Sequence, residues 1–299
     1  MVAQTIFQAL VVCTGALATG SLAVLYFSRV RLERPAIGTF NSRDLVILFG
    51  FIVVLPGFYL LLPSAVLTGF LVLTFTSAMS IALRPILAAR YRRTLIPAVI
   101  VANIVVTQSM LGTGGGLVAY WLLTDTAVLL AAVGVSNLYV QGGLTLRPIA
   151  WFAICLAAYD AFFSLVVPLT PMLAETFEGR PLNASIGFAF HGYNANIGLG
   201  DLLIYGLFAT AALKGFGRHG ASVALATIGV FGALLPTLAP MVSSHFNVGG
   251  AGFVVPAQVF FGPAALIAYL SLARRARRAT AEPMPDVLQV RPALLGWES

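Results

Sequence analysis

Apolar runs long enough to cross a bilayer follow one another along nearly the whole chain, and no other feature constrains its fold so strongly. A helix of about 20 apolar residues spans the hydrocarbon, because in lipid every backbone N–H and C=O must find its partner inside the segment. Read between polar breaks, the runs fall at about 5–28, 44–63, 65–84, 95–119, 126–146, 148–170, 186–213, 221–243 and 252–273. The pattern predicts an all-α polytopic membrane protein with nine transmembrane helices. Composition agrees: 9% of residues are charged, against roughly 25% in soluble domains. The opening MVAQTIFQALVVC lacks the basic start of a cleavable signal peptide and reads as the first permanent span. Spans four and five share one apolar tract, 94–146, broken by GTGGG at 112–116 and by TDT at 124–126. Placing the boundary at TDT puts Asp125 in a turn open to water; the alternative buries Asp125 in a helix.

Arginine and lysine fix the orientation. The loop after span 1 holds Arg29, Arg31, Arg34 and Arg43, and the end of span 3 holds Arg84, Arg90, Arg92 and Arg93. Arg147 precedes span 6, Lys214 and Arg218 follow span 7, and five arginines from Arg274 to Arg291 follow span 9. With nine spans, these sixteen of the seventeen basic residues share one side and Arg180 stands alone on the other. The positive-inside rule then places the N-terminus outside and the C-terminus in the cytosol. The net charge of +7 is therefore a topology signal facing the lipid bilayer, with no nucleic acid partner implied. Three regions follow: a five-helix bundle over 1–146, a four-helix region over 147–273 and a basic tail over 274–299. RRARR at 274–278 anchors that tail at the membrane surface. The excess of arginine over lysine, with many alanines, suggests a GC-rich prokaryotic genome and a plasma (inner) membrane location.

Most of the ten acidic residues fall in loops or the tail, but Asp160 in CLAAYDAFFSL and Asp201 in IGLGDLLIYG lie deep within spans 6 and 7. Asp160 follows Arg147 by 13 residues, and Asp201 precedes Lys214 by 13 (160 − 147 and 214 − 201). At about 1.5 Å per residue, each carboxyl sits roughly 20 Å from a charge at the inner face. Helices joined by a loop pack side by side, so the two aspartates face each other near mid-membrane. One buried carboxylate costs at least about 2.5–3.5 kcal/mol, so two at one level call for a function. Close carboxyls in low dielectric share one proton. The ionised member deprotonates a water while the protonated member polarises a carbonyl, the division of labour of aspartic peptide hydrolysis. Gly198 and Gly200 flank Leu199 just before Asp201, and such small residues let a substrate strand or another helix come close.

Tyr159-Asp160 and Gly198-Leu199-Gly200-Asp201 resemble the YD and GxGD motifs of the presenilin and signal peptide peptidase family of intramembrane aspartyl proteases. That family carries its aspartates on the sixth and seventh of nine spans. The resemblance covers spans 5 to 9; spans 1 to 4 carry no motif. Its third motif, Pro-Ala-Leu at the start of span 9, is matched by Pro256-Ala257-Gln258 with glutamine replacing leucine. Pro263-Ala264-Ala265-Leu266 is the competing match, and the literal triplet Pro292-Ala293-Leu294 lies in the polar tail. The resemblance implies catalysis by Asp160 and Asp201, with support or substrate binding by Tyr159, Gly198, Leu199, Gly200, Pro256, Ala257 and Gln258. It implies transmembrane peptide substrates, either signal-peptide remnants or type II membrane proteins, and no cofactor or metal. The inferred orientation matches the signal peptide peptidase branch, since presenilins are inverted.

Other readings compete. Midplane aspartates also serve proton- or cation-coupled transporters, although the chain shows no internal repeat. A type IV prepilin peptidase also uses GxGD, but its aspartates belong near the inner surface. His191, Asn194 and Asn196 suit either a water path to Asp201 or an outer helix end in contact with solvent. Asn137 and Gln141 suit helix–helix hydrogen bonds. Cys13 and Cys155, both in apolar runs, suit packing better than a disulfide or metal site.

Overall fold

A computed structural model describes residues 2–33, 38–165, 172, 179–190, 193–239 and 256–281. Helices dominate: α1 (Val2–Arg29), α2 (Ser42–Leu61), α3 (Ser64–Leu83), α4 (Ala89–Ser109), α5 (Gly114–Gln141) and α6 (Leu146–Leu165). A β-hairpin of β1 (Ser185–Phe190) and β2 (Tyr193–Gly198) follows, then α7 (Leu199–Thr227) running into a π-helical segment (Ile228–Leu234), and finally α8 (Ala257–Ala281). Seven of these helices are long and apolar enough to cross a membrane, and their outer faces carry exposed large apolar side chains such as Val46, Phe51, Val54 and Leu61. Such faces are tolerated where the solvent is hydrocarbon. The chain is a helical, membrane-embedded protein.

The apolar stretch Leu199–Ala239 is 41 residues long and reverses within itself. Gly217 adopts φ 64° and ψ −155°, a left-handed conformation in which a Cβ would be strained. Past it, Gly220 packs against the Ala212 carbonyl and Phe216. The Tyr205 hydroxyl donates to Gly232 O at 2.7 Å, a contact that a straight helix, rising about 1.5 Å per residue, would separate by roughly 40 Å. Two antiparallel arms, 199–216 and 218–239, therefore meet at Gly217.

The break between α4 and α5 lies at GTGGG, not at TDT as the sequence suggested. Thr113 caps α5 by accepting from Gly116 N at 3.0 Å, and Gly116 sits against the Met110 carbonyl with no room for a Cβ. TDT continues the helix because each polar group finds a partner. Asn103 Nδ2 donates to Thr124 Oγ1 (2.9 Å), Thr126 Oγ1 donates to Leu122 O (2.7 Å), and Asp125 Oδ1 accepts from Gly187 N (3.0 Å). Asp125 is thus half-buried in mid-helix rather than in a water-exposed turn.

The helix expected over 186–213 begins only at Leu199. Residues 185–190 and 193–198 pair as the antiparallel strands of a hairpin instead, with Gly187 opposite Asn196 and Ser185 opposite Gly198. Ile186 and Ile197 pack against Gly15 of α1, and β1 lies against α5. Leu199 N donates to Ala184 O at 2.8 Å, so the hairpin hands directly into α7.

Around this centre α1, α5 and α7 pack together, with Gly20 of α1 against Leu225 and Gly206 of α7 against Ser136. Asn137 Nδ2 donates to Ala23 O (3.1 Å) and Gln141 Nε2 to Val30 O (3.0 Å), the interhelical bonds that their positions suggested. Cys155 is exposed rather than buried, while Cys13 is partly buried. His191, residues 252–255 of the ninth run and the tail beyond 281 lie outside the described residues.

Candidate active site

Three helices place the site. On α6, Ile149, Ala153, Phe152, Leu156 and Ala157 form a buried stripe at helical spacing, and Asp160 continues it one turn further. Small side chains on that stripe admit α8 closely: Gly262 lies against the Ala153 carbonyl and the Ala157 Cβ. On α8, one turn before Gly262 is Gln258 and beside it is Phe261, both buried. Phe261 stacks edge-on against Tyr205 and Phe208 of α7, with ring centroids 4.7 and 5.5 Å apart. Asp201 lies one turn before Tyr205, at the level of Gln258.

Gln258 Nε2 donates to Asp201 Oδ1 across 2.7 Å. The glutamine that breaks the Pro-Ala-Leu resemblance is thus the side chain that touches Asp201. Pro263 lies further down, inside α8, so geometry brings Pro256-Ala257-Gln258 rather than Pro263-Ala264-Ala265-Leu266 to Asp201. Asp160 and Asp201 are both half-buried, on helices α6 and α7 that pack against each other.

The surroundings of the two carboxyls differ. Asp201 occupies the first turn of α7, behind Gly198 as N-cap (φ −67°, ψ 148°), where unpaired backbone N–H groups and the helix dipole favour negative charge. It also holds the Gln258 donor. Among the described residues, none donates a hydrogen bond to Asp160. The helix N-terminus and the Gln258 donor thus favour negative charge at Asp201 more than at Asp160.

The depth inferred from charges has a structural counterpart. Lys214 Nζ donates to Val140 O (2.6 Å) and Leu144 O (3.3 Å), so it caps the end of α5 instead of reaching into headgroups. Leu144 is three residues before the exposed Arg147. Lys214 and Arg147 therefore mark one level, and each aspartate stands 13 residues from it (214 − 201 and 160 − 147).

The glycines divide. Gly206 is a packing glycine, since a Cβ there would lie 2.8 Å from Ser136 Oγ. Among the described residues, nothing lies within 4 Å of a Cβ on Gly200, and a Cβ on Gly198 would meet Asp201 Oδ2 alone, at 3.9 Å. These two expose the approach to Asp201 instead of seating a helix, and Leu199 between them is half-buried. Tyr159 packs its ring among Phe49 of α2 (6.3 Å) and Phe163 (4.5 Å), and among the described residues it makes no hydrogen bond to the aspartates. Asn196 is exposed on β2, on a strand and not on the helix expected there.

Sequence reading missed three contributors. Tyr205 carried a signal, since it follows Asp201 by four residues and so shares its helical face. The hairpin had only a weak one, the alternation of SIGFAF hidden in an apolar run. Nothing in the sequence pointed to Gly232 as Tyr205's acceptor. No protein-family model and no curated protein matches the chain.

Proposed function

We propose that this chain is an intramembrane aspartyl endopeptidase that hydrolyses peptide bonds within transmembrane segments. The reading rests on one observation: two aspartates stand at one level on helices that pack together, and, among the described residues, a side-chain donor is bound to Asp201 and none to Asp160. In the proposed reaction Asp201 takes a proton from a water, whose oxygen attacks the scissile carbonyl carbon. Asp160 gives its proton to the carbonyl oxygen. Collapse of the tetrahedral diol breaks the C–N bond as Asp201 gives its proton to the leaving amine and Asp160 takes one from a diol hydroxyl, so the pair ends as it began, with one proton on Asp160.

The substrate is an apolar helix that must open before a carbonyl can be attacked. Among the described residues, Gly198 and Gly200 leave the space for it. A count of nine spans fits if α4 and both arms of α7 are added to the remaining apolar helices. Arg84 at the end of α3 pairs with Glu33 after α1 at 2.7 Å, while Arg180 binds Ser64 at the start of α3, which accords with arginines on one side and Arg180 on the other. An outside N-terminus, a cytosolic C-terminus and a prokaryotic plasma membrane complete the proposal.

The test is the purified protein in detergent with a labelled transmembrane peptide and product masses by mass spectrometry. Cleavage within the apolar segment is expected. Absence of cleavage, with a proton-coupled ion flux in liposomes that depends on the aspartates, would replace this reading with a transporter.

A further inference from the structure

Gln258 is 2% exposed, and its side-chain amide is only half used. Nε2 donates to Asp201 Oδ1 at 2.7 Å, while Oε1 is buried and without a partner among the described residues. Both atoms hang from one carbon, so Oε1 lies within about 5 Å of Asp201 Oδ1. A buried carbonyl oxygen with no donor is costly to keep, and an apolar side chain of the same length would avoid the cost. Its place beside the carboxylate calls for a donor that arrives from outside.

A transmembrane helix brings such donors. Its backbone N–H groups are all bonded to its own carbonyls until the segment opens for cleavage, after which they have no acceptor in the membrane. Among the described residues, the open space at Gly198 and Gly200 lies beside Asp201 on its Oδ2 side, while Gln258 holds Oδ1, so an opened segment entering there comes to the same carboxylate that Oε1 adjoins. We propose that Gln258 couples substrate to the catalytic pair: Nε2 orients the Asp201 carboxylate, and Oε1 accepts a backbone N–H of the substrate close to the scissile bond. This rests on the protease reading above and adds a side chain that senses whether the substrate has unwound. Gln258 is then a positioning residue for Asp201 and a contact for the substrate.

The experiment is an ester scan. A cleavable transmembrane peptide is prepared as a series in which single amide N–H groups near the scissile bond become ester oxygens, with the scissile amide itself kept. The full-length protein and its Gln258→Leu and Gln258→Met variants are assayed in detergent. One ester position should lower wild-type kcat/KM about tenfold, the size of one hydrogen bond at an otherwise unpaired group, and should cost either variant less than about twofold. Both variants should show reduced kcat on the parent peptide, because they also remove the Nε2 donor that orients Asp201. Ester profiles of the same shape in wild type and both variants overturn this inference and leave the protease reading standing. Failure of the wild type to cleave the parent peptide overturns both.

Discussion

The backbone N–H of Gly187 in β1 donates to the Asp125 carboxylate in the middle of α5, across 3.0 Å. This bond ties the hairpin to the helix bundle, and the hairpin in turn sets where α7 starts and hence where Asp201 stands. Asp125→Ala should leave a buried N–H without an acceptor and lower stability by about 1–3 kcal/mol. Asp125→Asn, which keeps an acceptor, should retain most of it. Denaturant or thermal unfolding in detergent measures the difference, and hydrogen exchange should show lost protection in 185–198 for the alanine variant alone.

Gly200 and Gly206, six residues apart on α7 (206 − 200), should respond in opposite ways. Gly206→Ala puts a Cβ 2.8 Å from Ser136 Oγ and should destabilise by about 1–3 kcal/mol by forcing α5 and α7 apart. Gly200→Ala meets nothing within 4 Å and should leave stability unchanged or raise it by up to about 1 kcal/mol. Its cleavage rate should nevertheless fall, since the methyl fills space kept for the substrate. A Gly200→Ala variant that cleaves at the full rate would remove these glycines from the substrate path.

Tyr205 holds the two arms of α7 together through its 2.7 Å bond to Gly232 O. Tyr205→Phe keeps the ring stacked on Phe261 but removes this bond, which should cost about 0.5–1.5 kcal/mol in an unfolding measurement.

On the proposed mechanism, a proton shared by Asp160 and Asp201 makes activity depend on pH from both sides. At low pH both carboxyls are protonated and no base remains; at high pH both are ionised and no acid remains. The profile of kcat/KM should therefore be bell-shaped. Asp125→Asn should keep both limbs, because Asp125 belongs to the hairpin anchor and not to the pair. A profile with a single limb would speak against shared-proton catalysis.

Much of this arrangement was legible in the sequence, for physical reasons. Lipid demands long apolar helices, so α1 to α3 and α6 stood out within a few residues of their bounds. The 13-residue offsets of Asp160 and Asp201 identified one level because a helix converts residue count into depth. What escaped were features in which a local signal yields to tertiary partners. Asp125 looked like a turn residue because its acceptor role depends on Gly187, 62 residues away. The hairpin looked like helix because Ile186, Phe188 and Ile197 are as apolar as a span, and a hydropathy count does not separate period 2 from period 3.6 over six residues. Gln258 looked like a defect in a motif, and only the placement of α8 against α7 gave it Asp201 as a partner.

The central claim is that Asp160 and Asp201 act as one unit on a peptide bond. Its most direct test is kcat for cleavage of one transmembrane peptide by wild type, Asp160→Ala, Asp201→Ala and the double variant. Groups that act together are lost together, so each single variant should fall to the same floor as the double. Cleavage by the double variant, or losses that multiply from single to double, would contradict it.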